Sequence, residues 1–241
     1  MPCATNHLGQ PVGFAVPDWN PPPPPSPAPM EGHYCQVERL NPHVHPEALF
    51  AANTLDTDGR MWTYLAYGPF DTLENYRRWA DDACRDSDPL FYAIVDRATD
   101  RAAGVASYMR IDSRHGTIEV GHIAYSPLLQ RSPAATEAMY LMMKQAFELG
   151  YRRYEWKCNA LNLPSRVAAQ RLGFSFEGVF RQAAVIKGRN CDTAWYSALD
   201  TEWAALKDAF EAWLAPVNFD EHGIQRLQLS ALTGPLLKRR G

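Results

Sequence analysis

The most constraining feature of this 241-residue sequence is a helical segment at residues 134–149 that follows three strand-like runs. Apolar residues recur along one helical face, at positions 135, 138, 139, 142, 143 and 146. Ser132 and Pro133 are favoured as N-cap and first helical residue, and Gly150 is favoured just beyond the end. The preceding runs, at residues 90–96, 102–111 and 117–125, are separated by short turns and predict an antiparallel meander. Together these segments require a sheet that packs against helices.

The flanking segments continue this alternation and define the rest of the fold. We expect a strand at 34–40 and helices at 46–52 and 73–84, then, after the central helix, a strand at 151–158, a helix at 163–172, strands at 174–179 and 193–199 and a helix at 201–214. This order predicts an α+β fold with a mixed sheet. We divide the chain into a proline-rich arm at 1–32, a main domain at 33–200, and a C-terminal helix and tail at 201–241 packed on it.

The arm contains five consecutive prolines at 21–25, which favour a polyproline II conformation. Phe14, Val16 and Trp19 give it side chains to bury, which favours an ordered arm over a disordered linker. At the other end, the basic residues 238–240 are expected to form a frayed tail.

Charge and cysteine content narrow the class of protein. The net charge of −3 argues against a nucleic-acid binder, which usually has a basic surface. The five cysteines are odd in number and lack Cys-x-x-Cys spacing, so they favour free thiols in a reducing compartment. No secretory leader or long apolar run is visible, so we expect a cytoplasmic protein without membrane contact. His43 and His45 lack a third nearby ligand, and no metal site is expected.

Residues 125–136 predict an anion-binding site. A strand ends, a short loop follows, and a helix begins at Ser132 and Pro133 with the small residues Ala134 and Ala135 behind them. Unpaired N–H groups and the helix dipole attract a phosphate at such a point. A capped helix after a strand is more often only structural, so its position after the meander is what favours function.

Two motifs resemble those of the GCN5-related N-acetyltransferases, and more closely the ribosomal-protein and N-terminal serine acetyltransferase branch. The first is Gln130-Arg131-Ser132-Pro133-Ala134-Ala135, which resembles the family's Gln/Arg-x-x-Gly-x-Gly/Ala loop except that Pro133 replaces glycine. The second is more specific: Asn159 to Ser165, then Ala169-Gln170-Arg171-Leu172-Gly173-Phe174, Glu177-Gly178 and Arg181. The resemblance spans about residues 34–200.

The resemblance implies acetyl-CoA as acyl donor, held where two central parallel strands, 117–125 and 151–158, splay apart. It assigns the pantetheine to the strand edge at Ile123 and Tyr125. It assigns the pyrophosphate to Gln130, Arg131, Ser132, Ala134, Ala135 and Thr136, mainly through backbone N–H groups. The acceptor amine attacks directly, so no enzyme nucleophile is required.

Ser165 is placed by the resemblance where it protonates the departing thiolate, with Asn162 as helix cap and orienting contact. Plain helix capping by Asn162 with a solvated Ser165 is the structural alternative. Glu119 and His122 are candidate bases that face opposite sides of one strand, and Glu119 is preferred. A salt-bridged Glu119 or a buried structural His122 is at least as reasonable. Cys158 lacks a histidine–acid pair, so we interpret it as a structural thiol.

The acceptor is expected to be a primary amine, with a protein N-terminus as the leading case. A small-molecule amine, or a catalytically silent acyl-CoA-binding module, are the alternatives. The aromatic loop at 56–70 either lines the acceptor pocket or forms a small satellite core. Acidic residues at 56, 58, 81, 82, 86 and 88 would favour cationic acceptors if they surround the entrance. The sequence is also compatible with a homodimer.

Overall fold

A computed structural model describes residues 3–241. Its strands are β1 (Cys3–Thr5), β2 (Pro11–Gly13), β3 (Met30–Glu31), β4 (Cys35–Arg39), β5 (Leu90–Asp96), β6 (Arg101–Asp112), β7 (Thr117–Tyr125), β8 (Arg153–Asn159), β9 (Ser175–Ile186) and β10 (Arg189–Leu199). Its α-helices are α1 (Pro46–Asn53), α2 (Leu73–Ala83), α3 (Pro133–Glu148), α4 (Leu163–Arg171), α5 (Asp200–Leu214) and α6 (Leu229–Thr233). No helix within the described residues is long and apolar enough to cross a membrane.

One mixed sheet of eight strands organises these elements, in the order β3-β4-β5-β6-β7-β8-β10-β9. Only β7 and β8 are parallel neighbours, as the helical crossover through α3 requires. Their pairing begins at Thr117 with Arg153 and ends at Val120 with Trp156, so the two strands separate beyond that point. The predicted α+β fold with splayed central parallel strands is confirmed.

The sheet is covered differently on its two faces. Helices α3, α4 and α5 bury one face in a large core in which Ile118 and Tyr154 of the sheet pack with Met142 of α3. Helices α1 and α2 cover part of the other face, where Leu49 and Phe91 belong to a second, smaller core. Each such buried side chain contributes roughly 1.5–3 kcal/mol by leaving water.

Glu137 of α3 joins the helix to the start of β4. Its buried carboxylate accepts backbone N–H groups from His33 at 2.8 Å, Tyr34 at 2.6 Å and Cys35 at 2.8 Å. A Cβ at Gly32 would stand only 2.3 Å from the Glu137 Oε2 atom, so only glycine fits beside it. These backbone N–H groups replace the water that the Glu137 carboxylate loses on burial. They also fix the start of β4 to α3.

The proline-rich arm is ordered against the domain over its described residues. The Trp19 indole donates to the Arg114 carbonyl at 3.0 Å, and the Arg152 guanidinium lies 5.8 Å from the Trp19 ring centre. Gly116, at φ +67°, leaves room for that ring, because a Cβ there would meet it at 2.2 Å. Of the three apolar side chains that favoured an ordered arm, Trp19 is partly buried in this way, whereas Phe14 and Val16 are exposed. Residues 1 and 2 lie outside the described part.

Two features differ from the sequence expectations. The hairpin is longer than expected: β9 continues to Ile186 instead of ending at 179, and β10 begins at Arg189 instead of 193. Within β9, Gln182 adopts φ +52° and donates its N–H to Asp192 at 2.7 Å. That irregularity interrupts the alternation that predicts a strand. The basic tail is not frayed, since the Arg239 carbonyl accepts the Phe176 N–H of the end strand β9 at 3.0 Å. An uncovered strand edge offers such unpaired groups.

Candidate active site

The site begins at the split between β7 and β8. Residues 121–125 of β7 have no partner on β8, so that strand edge is free. On its other side, β7 contains a bulge: Val105 lies opposite Ala124 and Ser107 opposite Gly121. Two residues of β7 therefore stand opposite one residue of β6. His122 is one of these two and adopts a left-handed backbone conformation, at φ +50°. Ile123 and Tyr125, predicted to contact a pantetheine chain, lie on this free segment.

The helix after the split begins as predicted, with Ser132 as N-cap. Its hydroxyl accepts the Ala135 N–H at 3.1 Å and donates to the Leu129 carbonyl at 2.7 Å. The expectation that all the local N–H groups are free needs correction. The N–H groups of Gln130, Ser132 and Ala135 have acceptors inside the turn or cap. Those of Arg131 and Ala134 have no protein acceptor within residues 3–241.

A hydrogen bond joins Gln130 to Tyr125 across the loop between β7 and α3. The Gln130 side chain donates to the Tyr125 carbonyl at 2.8 Å, and the Tyr125 hydroxyl donates to the Ala135 carbonyl at 3.3 Å. These bonds hold the loop between the end of β7 and the first turn of α3. Arg131 is exposed at φ +60°, and Ala134 and Ala135 are buried. Gln130 and Tyr125 therefore hold the shape of the loop through contacts within the protein.

Arg171, the last residue of α4, adds a cation that sequence reasoning missed. Its guanidinium donates to the Thr136 hydroxyl at 3.1 Å, in the first turn of α3, and lies 4.9 Å from the Trp213 ring centre. It forms no salt bridge within the described chain, and burial lowers its pKa. An unpaired cation beside the positive end of a helix is unfavourable alone and is stabilised by an anion. Its place before Leu172-Gly173-Phe174 was the only sequence signal.

Ser165 and Asn162 lie at the start of α4, where Asn162 makes the capping contact expected from the sequence. The Asn162 side chain accepts the Ser165 N–H at 3.2 Å, which confirms the cap. The Ser165 hydroxyl accepts the Trp156 indole N–H at 3.0 Å, a contact not anticipated from sequence. Because that oxygen already accepts a bond, the hydroxyl proton is free to be donated elsewhere. The site roles of both residues remain predictions.

Glu119 lies in a buried chain of charges rather than in an open pocket. Its carboxylate accepts from Arg110 at 2.7 Å and from Lys157 at 2.8 Å, and Lys157 also contacts Glu155 at 2.7 Å. The Glu119 side chain is only 3% exposed. Both of its carboxylate oxygens already accept hydrogen bonds from cationic side chains. Its predicted catalytic role therefore has no support in these contacts.

His122 lies on the unpaired segment of β7, among aromatic side chains. Its ring stacks on Tyr67 with centroids 5.6 Å apart and also contacts Phe91 at 5.0 Å. Burial, followed by the charge of Arg110, lowers the pKa of His122 below its ordinary value. The neutral form of the ring is therefore favoured, and the contacts of His122 within residues 3–241 are those with the two aromatic rings. This neutral form can accept a proton.

The remaining candidates behave as structural groups. Burial raises the pKa of the Cys158 thiol, which opposes formation of a thiolate nucleophile. His45 is bonded to Glu38 at 2.8 Å and to the Asn41 N–H at 2.9 Å. Within residues 3–241, no cluster of three or more potential ligands is placed for a metal ion.

The aromatic loop at 56–70 and the nearby acids are more structural than expected. Trp62 is buried in the smaller core, and Phe70 packs against that core. Asp56 accepts the Met61 N–H at 2.8 Å, and Asp88 accepts two backbone N–H groups of β6 at 2.9 Å. These acids are satisfied locally, which weakens the expectation of an acidic entrance for cationic acceptors.

Known proteins share this fold and parts of this sequence. A family model described as the Acetyltransferase (GNAT) domain matches residues 39–175, more than half of the chain. The chain belongs to the GCN5-related N-acetyltransferase (GNAT) family. A GNAT structure from Brucella melitensis is 48% identical, with a TM-score of 0.89, and covers 91% of this chain and 100% of that chain. The N-acetyltransferase p20 of Bacillus licheniformis, named as uncharacterized, is 26% identical over 61% of this chain and 85% of its own length.

The resemblance to ribosomal-protein acetyltransferases is a resemblance of fold. RimL, a ribosomal L7/L12 alpha-N-protein acetyltransferase, is 19% identical with a TM-score of 0.62, over 71% of this chain and 94% of that chain. At that identity the likeness concerns the fold alone.

Proposed function

We propose that this GNAT protein transfers an acetyl group from acetyl-CoA to a primary amine by direct attack. The observation that carries the proposal is the free edge of β7 beyond Val120, which opens beside the capped start of α3. A free strand edge can bond the amides of an extended pantetheine chain. The helix start and the unpaired Arg171 suit its phosphates. The residues present therefore fit the donor.

Acetyl-CoA, when bound, supplies the activated acyl group and a thiolate leaving group. Ile123 and Tyr125 hold the chain along the β7 edge, and Arg131, Ser132, Ala134, Ala135 and Thr136 surround the pyrophosphate. Gln130 keeps that loop closed on the strand through its bond to Tyr125. The Arg171 guanidinium offsets the phosphate charge. None of these residues needs to change its covalent state.

Two proton transfers remain for the protein. His122 takes the proton that the amine must lose, since the neutral form of its imidazole is favoured. Ser165 donates its hydroxyl proton to the departing thiolate, while Trp156 holds its oxygen from the other side. Solvent then returns a proton to Ser165 and takes the one that His122 gained, so both groups are reset for the next turnover. Asn162 fixes the turn that carries Ser165. Glu119 keeps Arg110 and Lys157 in place instead of acting as the base.

The proposal is tested by measuring free thiol released from acetyl-CoA with a panel of primary amines, together with calorimetric binding of acetyl-CoA. We expect amine-dependent release matched by acetylated amine in mass spectra. Tight binding without release for every amine would contradict transfer and leave a silent acyl-CoA-binding module.

A further inference from the structure

The C-terminal segment, residues 200–241, lies outside residues 39–175, the range that the GNAT family model matches. Helix α6 of this segment nevertheless packs on α4. The buried Thr233 hydroxyl of α6 donates to the Arg171 carbonyl at 2.9 Å. The segment therefore holds the residue of α4 whose guanidinium lies at the start of α3.

Trp213 of α5 forms a second contact with the same residue, through the face of its ring. The Arg171 guanidinium lies 4.9 Å from the Trp213 ring centre. That ring is buried and is itself held in place, since its indole N–H donates to the Gln225 side chain at 2.7 Å. The edge of Phe219 also packs against it, with centroids 5.2 Å apart. A guanidinium that rests on such a fixed ring has few directions left in which to point.

The guanidinium points at the first turn of α3. It donates to the Thr136 hydroxyl at 3.1 Å. Arg171 is only half-buried, and its other N–H groups bond no acceptor within residues 3–241, so a ligand can reach them. The same turn contributes the Ala134 N–H, which also lacks a protein acceptor there. Donors from α3 and α4 therefore converge at the start of α3.

An aromatic ring fixes a guanidinium differently from a carboxylate. The ring face attracts the cation through its quadrupole but has no net charge, so the positive charge of Arg171 is not neutralised. No carboxylate forms a salt bridge with Arg171 in the described part of the chain, and burial lowers its pKa. The arrangement suits a phosphate, which can accept two parallel N–H bonds from an arginine.

We propose that Trp213 and Thr233 are positioning residues for the acyl donor, through which the C-terminal segment directs Arg171 at the phosphates of acetyl-CoA. This inference rests on the proposed transfer reaction. It assigns part of donor binding to residues outside the range that the family model matches.

Binding of two donors separates positioning from general stability. Trp213→Leu should weaken acetyl-CoA binding about 5- to 30-fold, the effect of losing one desolvated cation–π contact. Binding of acetyl-pantetheine should not change, because that donor lacks the phosphates. Trp213→Phe keeps a ring face and loses the bond to Gln225, so it should recover most of the affinity. Calorimetry at one salt concentration measures each Kd.

Trp203→Leu is the matched control, since Trp203 lies on the same helix and stacks on Phe147 instead of Arg171. Its Kd for either donor should equal that of the wild type. An unchanged Kd for acetyl-CoA in Trp213→Leu, or an equal loss with both donors, would overturn this inference alone. A wild-type protein that does not bind acetyl-CoA would overturn the proposed function.

Thr233→Val keeps the shape of the side chain, so it tests the segment even if Trp213→Leu does not fold. It should weaken acetyl-CoA binding about two- to tenfold, the effect of one neutral hydrogen bond, and again spare acetyl-pantetheine. The same Kd for acetyl-CoA in Thr233→Val and in the wild type would contradict the role of Thr233.

Discussion

Ser165 shows how one hydroxyl can be prepared for a single proton transfer. Trp156 occupies its acceptor side and Asn162 fixes its backbone, so the hydroxyl proton is left to a neighbouring thiolate. Ser165→Ala should lower kcat about 100-fold, the low end for a positioned acid, with little effect on the Kd of acetyl-CoA. Steady-state kinetics and calorimetry measure the two quantities.

Trp156→Phe is the matched control, because it removes the indole donor and keeps the hydroxyl. Its kcat should fall much less than that of Ser165→Ala. Equal kcat for wild type and Ser165→Ala would remove Ser165 from the reaction.

His122 gives a testable pH dependence. Burial lowers its pKa below the ordinary value of about 6.5, so the neutral form that accepts a proton persists to lower pH. Activity should therefore fall only as pH drops through this lowered value, and His122→Gln should lose that acid limb and most of kcat. A pH profile of kcat for both proteins, with one acceptor, checks this expectation. An acid limb retained in His122→Gln would assign the base elsewhere.

Arg171 should matter for the donor only through its phosphates. Arg171→Met should weaken acetyl-CoA binding about 10- to 100-fold, the value of a charged hydrogen bond. Arg171→Lys should recover part of that loss. Binding of acetyl-pantetheine, which lacks the phosphates, should be the same in wild type and Arg171→Met. An equal loss with both donors would indicate a general structural defect instead.

At the level of elements, Lys157 joins β7 to β8 where their backbone pairing stops. It contacts Glu119 and Glu155, each of which keeps an arginine partner if Lys157 is lost. Lys157→Met should therefore reduce the free energy of unfolding by about 1–3 kcal/mol, less than a fully orphaned buried charge would. Urea unfolding measures it.

The control for Lys157 is Lys144→Met on α3, whose exposed pair with Glu148 should contribute only about 0.3–0.5 kcal/mol. Equal losses in the two variants would show that the buried charges do not hold the split.

Elements with strong local signals could be predicted from the sequence, and long-range contacts could not. Ser132 and Asn162 are N-caps that bond a backbone N–H group three residues ahead. The first residues of α3 and α4 could therefore be predicted from a short stretch of sequence. The Lys187 contact with Trp62 joins distant segments, and an aromatic loop without periodicity does not reveal where it lies. The partners of Glu119 were also hidden, because strand alternation gives a face but not its neighbours.

At the level of the whole molecule, the arm contributes stability without touching the split. Trp19 fills the space above Gly116 and stacks near Arg152, so Trp19→Ala should lower the free energy of unfolding by about 1–3 kcal/mol. Thermal unfolding should show the loss, and kcat measured well below the transition should not change. A fall in kcat without a fall in stability would contradict this separation.

Glu137 has a consequence for motion during turnover. Its three bonds fix β4 to α3, so we expect little relative motion between this strand and the helix that would hold the donor phosphates. On the other face of the sheet, residues 56–70 form a flap that single hydrogen bonds fasten to Leu161 and Lys187, so we expect the amine to enter and leave there. If that flap sets the pace of product escape, added viscogen should slow kcat even though the chemical step involves no diffusion.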